Sequence, residues 1–226
     1  MHLADGVLPF GQALAWNGVG IAAVAFSLKR VSAAHGQEPF TKAIAALMGA
    51  VLFVLSGLPI PVPFLGTTSH PTGMGIVSLL VGPYIAILVT LVALVLQALL
   101  LGHGGISTLG ANLVSMGVVG SLAALSSFRL VRGLGGSKMA GAFAAGLLGD
   151  YLPYLATATI LAFGVHGTAA FGSVFLAILA AYAPTQVPIG ILDGVLALGA
   201  YRFLTARRPD VFEHLKDRGL LPRYVR

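Results

Sequence analysis

The stretch MGIVSLLVGPYIAILVTLVALVLQALLLG, residues 74–102, decides the fold of this chain. It has no charged residue, and it is longer than the roughly 20 apolar residues that one helix needs to cross a bilayer. Gly82-Pro83 interrupts it, because proline lacks an amide hydrogen and clashes with the preceding helical turn. We therefore expect residues 74–81 to form a short inward helix, sheltered by protein, and residues 84–101 to form the outward return span.

The composition places the whole chain in a lipid bilayer. Of its 226 residues, 57% are hydrophobic and 9% are charged, whereas soluble chains carry roughly 25% charged residues. We expect one transmembrane domain, residues 1–226. Cysteine is absent, so nitrogen or oxygen atoms must bind any metal ion. The net charge of +6 lies in short basic flanks between apolar segments, which indicates membrane topology and not nucleic-acid binding.

The basic residues also predict the topology of an all-α, polytopic helix bundle. Lys29 and Arg30 follow the first apolar segment, so its end lies inside, the N-terminus lies outside and no cleavable leader is expected. The tail, residues 204–226, is then cytosolic, which requires an odd number of spans, about seven. The expected spans are residues 12–28, 43–58, 74–81, 84–101, 107–128, 139–165 and 186–203. Residues 171–182 are expected as a shallow segment, because APTQVP, residues 183–188, carries two prolines.

The chain begins MHLADG, with a histidine directly after the terminal residue. A free α-amine on Met1, the backbone nitrogen of His2 and its Nδ1 can form two adjacent chelate rings around one metal ion. Because the peptide unit is planar, these three nitrogens lie in one plane and leave a fourth position open. Square-planar nitrogen ligation is typical of Ni(II) or Cu(II). The alternative is that His2 is an accident of a flexible terminus.

The fourth donor must come from another histidine. His70, His103 and His166 fall on the same side as the N-terminus in this topology. His70 is the favoured one, because it lies in the constrained loop GTTSHPTG, residues 66–73, which leads into the short sheltered helix. The alternative for His70 is an interfacial polar residue without a metal.

Three motifs resemble one family of membrane proteins. They are MHLADGVLP (residues 1–9), GTTSHPTGMG (residues 66–75) and GHGGISTLGANLVSMGVVG (residues 102–120). Together they are similar to the CbiM/NikM family, the nickel/cobalt substrate-binding (S) components of energy-coupling factor transporters. The resemblance implies seven helices, and an N-terminal loop, residues 1–10, that inserts toward the bundle centre and binds the metal ion through Met1, His2 and His70.

Further residues acquire expected supporting roles from this resemblance. Asp5 would orient His2 or its loop through a hydrogen bond, the alternative being a helix or turn cap ahead of Pro9. Thr68 and Ser69 would brace His70 in the same way. Asn112 would hydrogen-bond to the terminal loop. His103 stands where relatives commonly have an acidic residue, and we expect a solvated loop residue there, the alternative being a role in metal entry.

The resemblance implies capture of Ni(II), possibly Co(II), outside the cell (inner) membrane. The chain has no G-x-x-x-x-G-K-[ST] motif, so ATP hydrolysis would come from cytoplasmic ATPase subunits. A membrane coupling (T) subunit, and possibly a small accessory membrane subunit, would join them. The alternative function is a self-sufficient proton-coupled carrier that uses the intramembrane acids Asp150 and Asp193. An intramembrane hydrolase with Ser107 and His103 is a further alternative with little support, and we expect no enzymatic activity.

Overall fold

The computed structural model describes residues 1–35, 39–62, 66–217 and 225. Its helices are α1 (Phe10–His35), α2 (Pro39–Ser56), α3 (Met74–Leu101), α4 (Leu109–Asn112), α5 (Gly120–Gly133), α6 (Lys138–Val165), α7 (Phe171–Arg207) and α8 (Pro209–Asp217). A π-helical segment, Leu113–Val119, joins α4 to α5 without interruption. The strands are β1 (Ile60–Val62) and β2 (Thr67–Ser69). Within these described ranges, six helical segments are long and apolar enough to cross a membrane.

Helix α3 reverses direction at the predicted break. Gly82 has φ 73° and ψ 176°, a backbone conformation that is essentially restricted to glycine. The hydroxyl of Thr90 lies 3.6 Å from the sulfur of Met74, although 16 residues of straight helix would separate them by about 24 Å. The two arms of α3 are therefore antiparallel, and the break expected at Gly82-Pro83 is confirmed. Counting the arms separately gives seven membrane segments.

The short first arm of α3 lies in the middle of the bundle. Met74 and Val77 have no exposed surface, and α3 packs against α2, α5 and α6. Helix α6 in turn packs along both α5 and α7. Close approach at this point requires glycine: a Cβ at Gly75 would lie 2.5 Å from the Cα of Gly146. The first arm of α3 is thus surrounded by protein. A helix that is too short to cross a bilayer requires this, because its terminal backbone groups cannot face lipid.

Two features of the fold differ from expectation. Helix α7 continues through Pro184 and Pro188, so the predicted break at residues 183–188 is wrong. Prolines are tolerated in membrane helices where neighbouring groups satisfy the freed backbone carbonyls. The second feature is a small antiparallel ladder, β1–β2, in a loop that was expected to be irregular.

The C-terminal part of the chain folds back on the bundle. Helix α8 carries buried Phe212 and Leu215, and the Phe212 ring lies 5.8 Å from the Tyr201 ring of α7. The remainder of the predicted tail, apart from Val225, lies outside the described residues.

Candidate metal centre

The N-terminal segment, residues 1–9, begins with three buried residues inside the bundle. Met1 and Leu3 have 0% and 1% exposed surface. Leu3 pairs with Thr67 in an antiparallel bridge, and the Ala4 amide donates to the Gly66 carbonyl (3.3 Å). The start of the chain therefore lies beside β2 as an additional extended strand, and it is inserted toward the bundle centre as predicted.

Side chains of the α4 region hold the backbone of Leu3. The Leu3 amide donates to Asn112 Oδ1 (2.8 Å), and Asn112 Nδ2 donates back to the Leu3 carbonyl (3.1 Å). The Thr108 hydroxyl donates to the same carbonyl (2.6 Å). Asn112, expected to hydrogen-bond to the terminal loop, thus makes two bonds to it, and both backbone polar groups of Leu3 have partners.

Asp5 fastens the N-terminal segment from its outer side. Its Oδ1 accepts hydrogen bonds from the Ser107 amide (2.7 Å) and hydroxyl (2.6 Å), and these bonds lower the pKa of Asp5. A Cβ at Gly105 would lie 2.5 Å from the Asp5 amide nitrogen, so the glycines of GHGG allow the two loops to touch. Asp5 orients the loop and not the His2 ring, and the turn it caps precedes α4, not α1.

Three imidazoles meet behind this segment. His2, His70 and His103, hereafter the histidine cluster, have 1%, 0% and 5% exposed surface. The His2 and His70 rings stack with centroids 4.5 Å apart, and the His103 ring stands perpendicular to both. His2 Nδ1 lies 3.1 Å from His103 Nε2, and one ring nitrogen from each residue falls within 4.8 Å of the others. The expectation of a solvated His103 is wrong, because the N-terminal segment covers its loop.

The ring nitrogens of the cluster have few protein partners. His70 Nδ1 lies 2.9 Å from the Pro71 carbonyl and donates to it, which leaves the lone pair on Nε2. Among the described residues, His2 Nε2, His70 Nε2 and His103 Nδ1 are buried without a hydrogen-bond partner. Buried polar atoms without partners cost free energy in a folded protein, so this arrangement is typical of a site that binds a ligand.

Burial keeps the nitrogens of this site in their neutral form. It lowers the pKa of His2 and His70 well below the usual value, and the neighbouring imidazoles lower the pKa of His2 further. Burial lowers the pKa of His103 to about 4 and that of the Met1 amine well below 8.0. Neutral imidazoles and a free-base amine have the lone pairs that metal ions bind.

Tyr154, which no sequence motif marked as a site residue, links the start of the chain to the His70 loop. Its hydroxyl accepts hydrogen bonds from the Met1 amine (3.3 Å) and the His70 amide (2.9 Å) and donates to the His70 carbonyl (3.1 Å). The available signal was a tyrosine within an apolar membrane helix, since a buried phenolic hydroxyl needs partners.

Thr68 and Ser69 do not brace His70 as expected. The Thr68 hydroxyl lies 2.8 Å from His103 Nε2, and the Ser69 hydroxyl accepts from Thr185 of α7 (2.8 Å). Because alternate residues of a strand face opposite sides, Thr67 and Ser69 face α7 while Thr68 faces the histidine cluster. The expected support of His70 comes instead from Pro71 and Tyr154.

Asp193 fixes the backbone that follows His70. Its Oδ2 accepts hydrogen bonds from the Thr72 amide (2.8 Å), the Thr72 hydroxyl (3.0 Å) and the Gly73 amide (3.0 Å). A carboxylate at this position satisfies amides at the start of α3, where the helix itself offers no acceptors. Helix α7 is therefore connected to the histidine cluster through the beginning of α3.

These observations define a class: a multi-pass helical membrane protein whose own N-terminus lies in a buried cluster of nitrogen donors. Residues 2–211 match the CbiM family, described as the cobalt uptake substrate-specific transmembrane region. The chain belongs to this family.

Individual relatives and solved structures agree with this assignment. The "Cobalt transport protein CbiM" of Sorangium cellulosum is 42% identical over 98% of this chain and 99% of the relative. That of Geobacter sulfurreducens is 46% identical over 93% of this chain, which matches 61% of that longer relative. Two solved structures, of a truncated transition metal transporter and of a transition metal transporter, have TM-scores of 0.80 and 0.79 at 24% and 25% identity. Each match covers 91% of this chain, and 98% and 92% of those chains.

The relatives are named as transport proteins, and the chain is a transport protein and not an enzyme. The hydrolase alternative also has no geometric basis. Ser107 donates its hydroxyl to Asp5, and His103 Nε2 lies beside His2 and Thr68.

Proposed function

We propose that the chain captures a divalent transition metal ion outside the cell membrane and delivers it inward as a subunit of an ATP-driven uptake transporter. The observation that carries this proposal is the buried, neutral set of nitrogens formed by the Met1 amine and the histidine cluster. Metal ions are bound by deprotonated nitrogen ligands, and the residues that carry these nitrogens are buried.

The proposed ligands follow from the chelate at the start of the chain. Met1 supplies its free amine, His2 its backbone nitrogen and Nδ1, and His70 its Nε2. Asn112 and Asp5 hold the segment in position, as hydrogen-bonding residues around metal ligands commonly do. The ligand atoms come from two separate parts of the chain, the N-terminal segment and the loop between β2 and α3.

His103 bears on which metal ion is preferred. The planar set of four nitrogens favours Ni(II), the prediction from the sequence. The His103 ring is perpendicular to the stacked His2 and His70 rings and provides a nitrogen beside this set. An additional donor removes the strict preference for a square plane, so the site also suits Co(II), for which the family and its relatives are named. We take Co(II) as the first substrate to test and Ni(II) as its competitor.

The remaining parts of the proposal rest on topology and on the family. The basic residues after α1 and in the C-terminal part favour an outer N-terminus and an inner tail. Because the chain has no phosphate-binding loop, cytoplasmic ATPase subunits and a membrane coupling subunit would supply the energy, with a small accessory membrane subunit as a further partner. The proton-coupled carrier has less support, since Asp193 already accepts three hydrogen bonds from the start of α3.

Titration of the purified protein, without any added N-terminal residues, tests the proposal. We expect about one Co(II) or Ni(II) per chain by calorimetry, and loss of tight binding in His2→Ala and in His70→Ala. His166→Ala is the matched control, because His166 lies in the loop between α6 and α7 and outside the cluster. Tight binding that survives both His2→Ala and His70→Ala would exclude this ligand set.

A further inference from the structure

A second polar cluster lies directly beside the histidine cluster. Asp150 of α6 and Asp193 of α7, hereafter the acid pair, have 0% and 3% exposed surface. The Thr72 hydroxyl brings them together, because it contacts both Asp193 Oδ2 (3.0 Å) and the carbonyl of Gly149, the residue before Asp150 (3.4 Å). Gln186 of α7, 5% exposed, donates its amide to Asp150 Oδ2. Three oxygen-bearing side chains from two helices thus converge inside the membrane-spanning part of the protein.

The acid pair is one helical turn from the histidine cluster. Asp150 precedes Tyr154 by four residues on α6, so the two side chains lie on the same helix face, about 6 Å apart along the axis. Tyr154 contacts Met1 and His70. With the N-terminus outside, α6 runs outward from residue 138 to residue 165, and the acid pair therefore lies on the inner side of Tyr154.

Each member of the acid pair, and Gln186, has one side-chain oxygen without a hydrogen-bond partner within the described ranges. In the described part of the chain, Asp150 Oδ1, Asp193 Oδ1 and Gln186 Oε1 are buried without a hydrogen bond. The Gln186 oxygen is on the same amide group that contacts Asp150, so it belongs to the same small volume. The two salt bridges found among the described residues involve Asp210 and Glu213 and neither member of the pair.

Removal of the two carboxyl groups from water favours either a proton on one of them or a cation bound between them. Two carboxylates that are removed from water at close range cannot both remain charged without a compensating positive charge. A cation between them would also satisfy the three unpartnered oxygens. Carboxylate and amide oxygens are ligands of hard divalent ions such as Mn(II) and Mg(II), and they bind transition metal ions more weakly than imidazole and amine nitrogens do.

We propose that Asp150, Asp193 and Gln186 form a second, oxygen-lined cation site that receives the metal ion after it leaves the histidine cluster. The proposal rests on the proposed inward transport. A weaker site on the inner side of a strong one gives the ion a position from which it can leave. Asp193 contacts both sites, since its Oδ2 atom accepts hydrogen bonds from the Thr72 and Gly73 amides at the end of the His70 loop.

Mn(II) is the probe, because it prefers oxygen ligands and is detected by electron paramagnetic resonance. Protein already loaded with one Co(II) at the histidine cluster is titrated with Mn(II), and about one further Mn(II) is expected to bind. Asp150→Asn, which keeps the size of the side chain, is expected to weaken Mn(II) binding at least tenfold and to lower Co(II) uptake by cells at least tenfold. Asp217→Asn, an exposed carboxyl at the end of α8, is the matched control and is expected to change neither.

Failure of this inference can be distinguished from failure of the proposed function. Absence of Mn(II) binding to the wild-type protein, or full Mn(II) binding and uptake by Asp150→Asn, overturns the second site and leaves Co(II) capture by the histidine cluster intact. If wild-type protein binds no Co(II), the proposed function fails, whereas Mn(II) binding that depends on Asp150 still supports an oxygen site. Even where Asp150→Asn does not fold, absence of Mn(II) binding to the wild-type protein overturns the second site.

Discussion

Leu3 shows how a single residue positions the two proposed ligands that precede it, Met1 and His2. Its amide and carbonyl are both bound by Asn112, so Met1 and His2 cannot move away without breaking buried hydrogen bonds. Leaving a buried amide without an acceptor costs about 1–3 kcal/mol. The side chain of Asn112 therefore contributes to metal binding without being a ligand.

Asn112→Ala is expected to lower Co(II) affinity roughly tenfold to hundredfold, because each 1.4 kcal/mol changes a binding constant about tenfold. Calorimetric titration of the purified protein measures this loss. Gln97→Ala is the control: Gln97 is another buried amide, and it bonds Phe53 and Ser56 of α2. It is expected to lower stability without changing affinity. Equal affinities in Asn112→Ala and wild type would remove Asn112 from the supporting set.

Residue chemistry could be predicted where adjacent residues carry it or where the loop context or a family motif marks the residue. The chelate of Met1 and His2 follows from two adjacent residues, and the family motifs pointed to His70. His103 and Tyr154 were not assigned to the site, because their contacts with the N-terminus join residues 101 and 153 positions apart. Only the folded chain shows that the glycine loop around His103 is covered.

At the scale of elements, the reversal of α3 depends on one backbone conformation. Gly-Pro within an apolar run indicates a break, and the sequence predicted it. The continuity of α7 through two prolines could not be predicted in the same way, because it depends on how the neighbouring helices accommodate the freed backbone groups. The β1–β2 ladder was missed because each strand has only three residues.

Gly82→Ala is expected to destabilise the protein by about 1–3 kcal/mol, because an alanine side chain is strained at this φ and ψ. The melting temperature should fall by about 2–10 °C for a chain of this size, as measured by thermal unfolding in detergent. Gly199→Ala is the matched control, since Gly199 lies within α7 and a Cβ there meets nothing within 4 Å. It should be neutral or slightly stabilising, and an equal loss in both variants would contradict a special role for Gly82.

At the scale of the whole molecule, the proposed metal centre is where distant parts of the chain close on each other. The N-terminal segment lies between β2, the glycine loop before α4 and the Tyr154 side of α6. The membrane character and helical architecture follow from composition and apolar spacing. The burial of Met1 does not follow from composition, because it requires three segments that are distant in sequence to meet.

An added residue before Met1 is therefore expected to abolish tight metal binding. Extension converts the Met1 amine into a planar amide without a basic lone pair, and Met1 has no exposed surface to accommodate an addition. A Gly-Ser extension at the N-terminus should weaken Co(II) binding roughly a hundredfold or more, since even residues that only support a ligand contribute 10- to 100-fold. The same two residues added after Arg226 serve as the control and should have no effect. Intact mass spectrometry establishes that the extension is retained, and an extended protein that binds Co(II) with full affinity would show that the terminal amine is not a ligand.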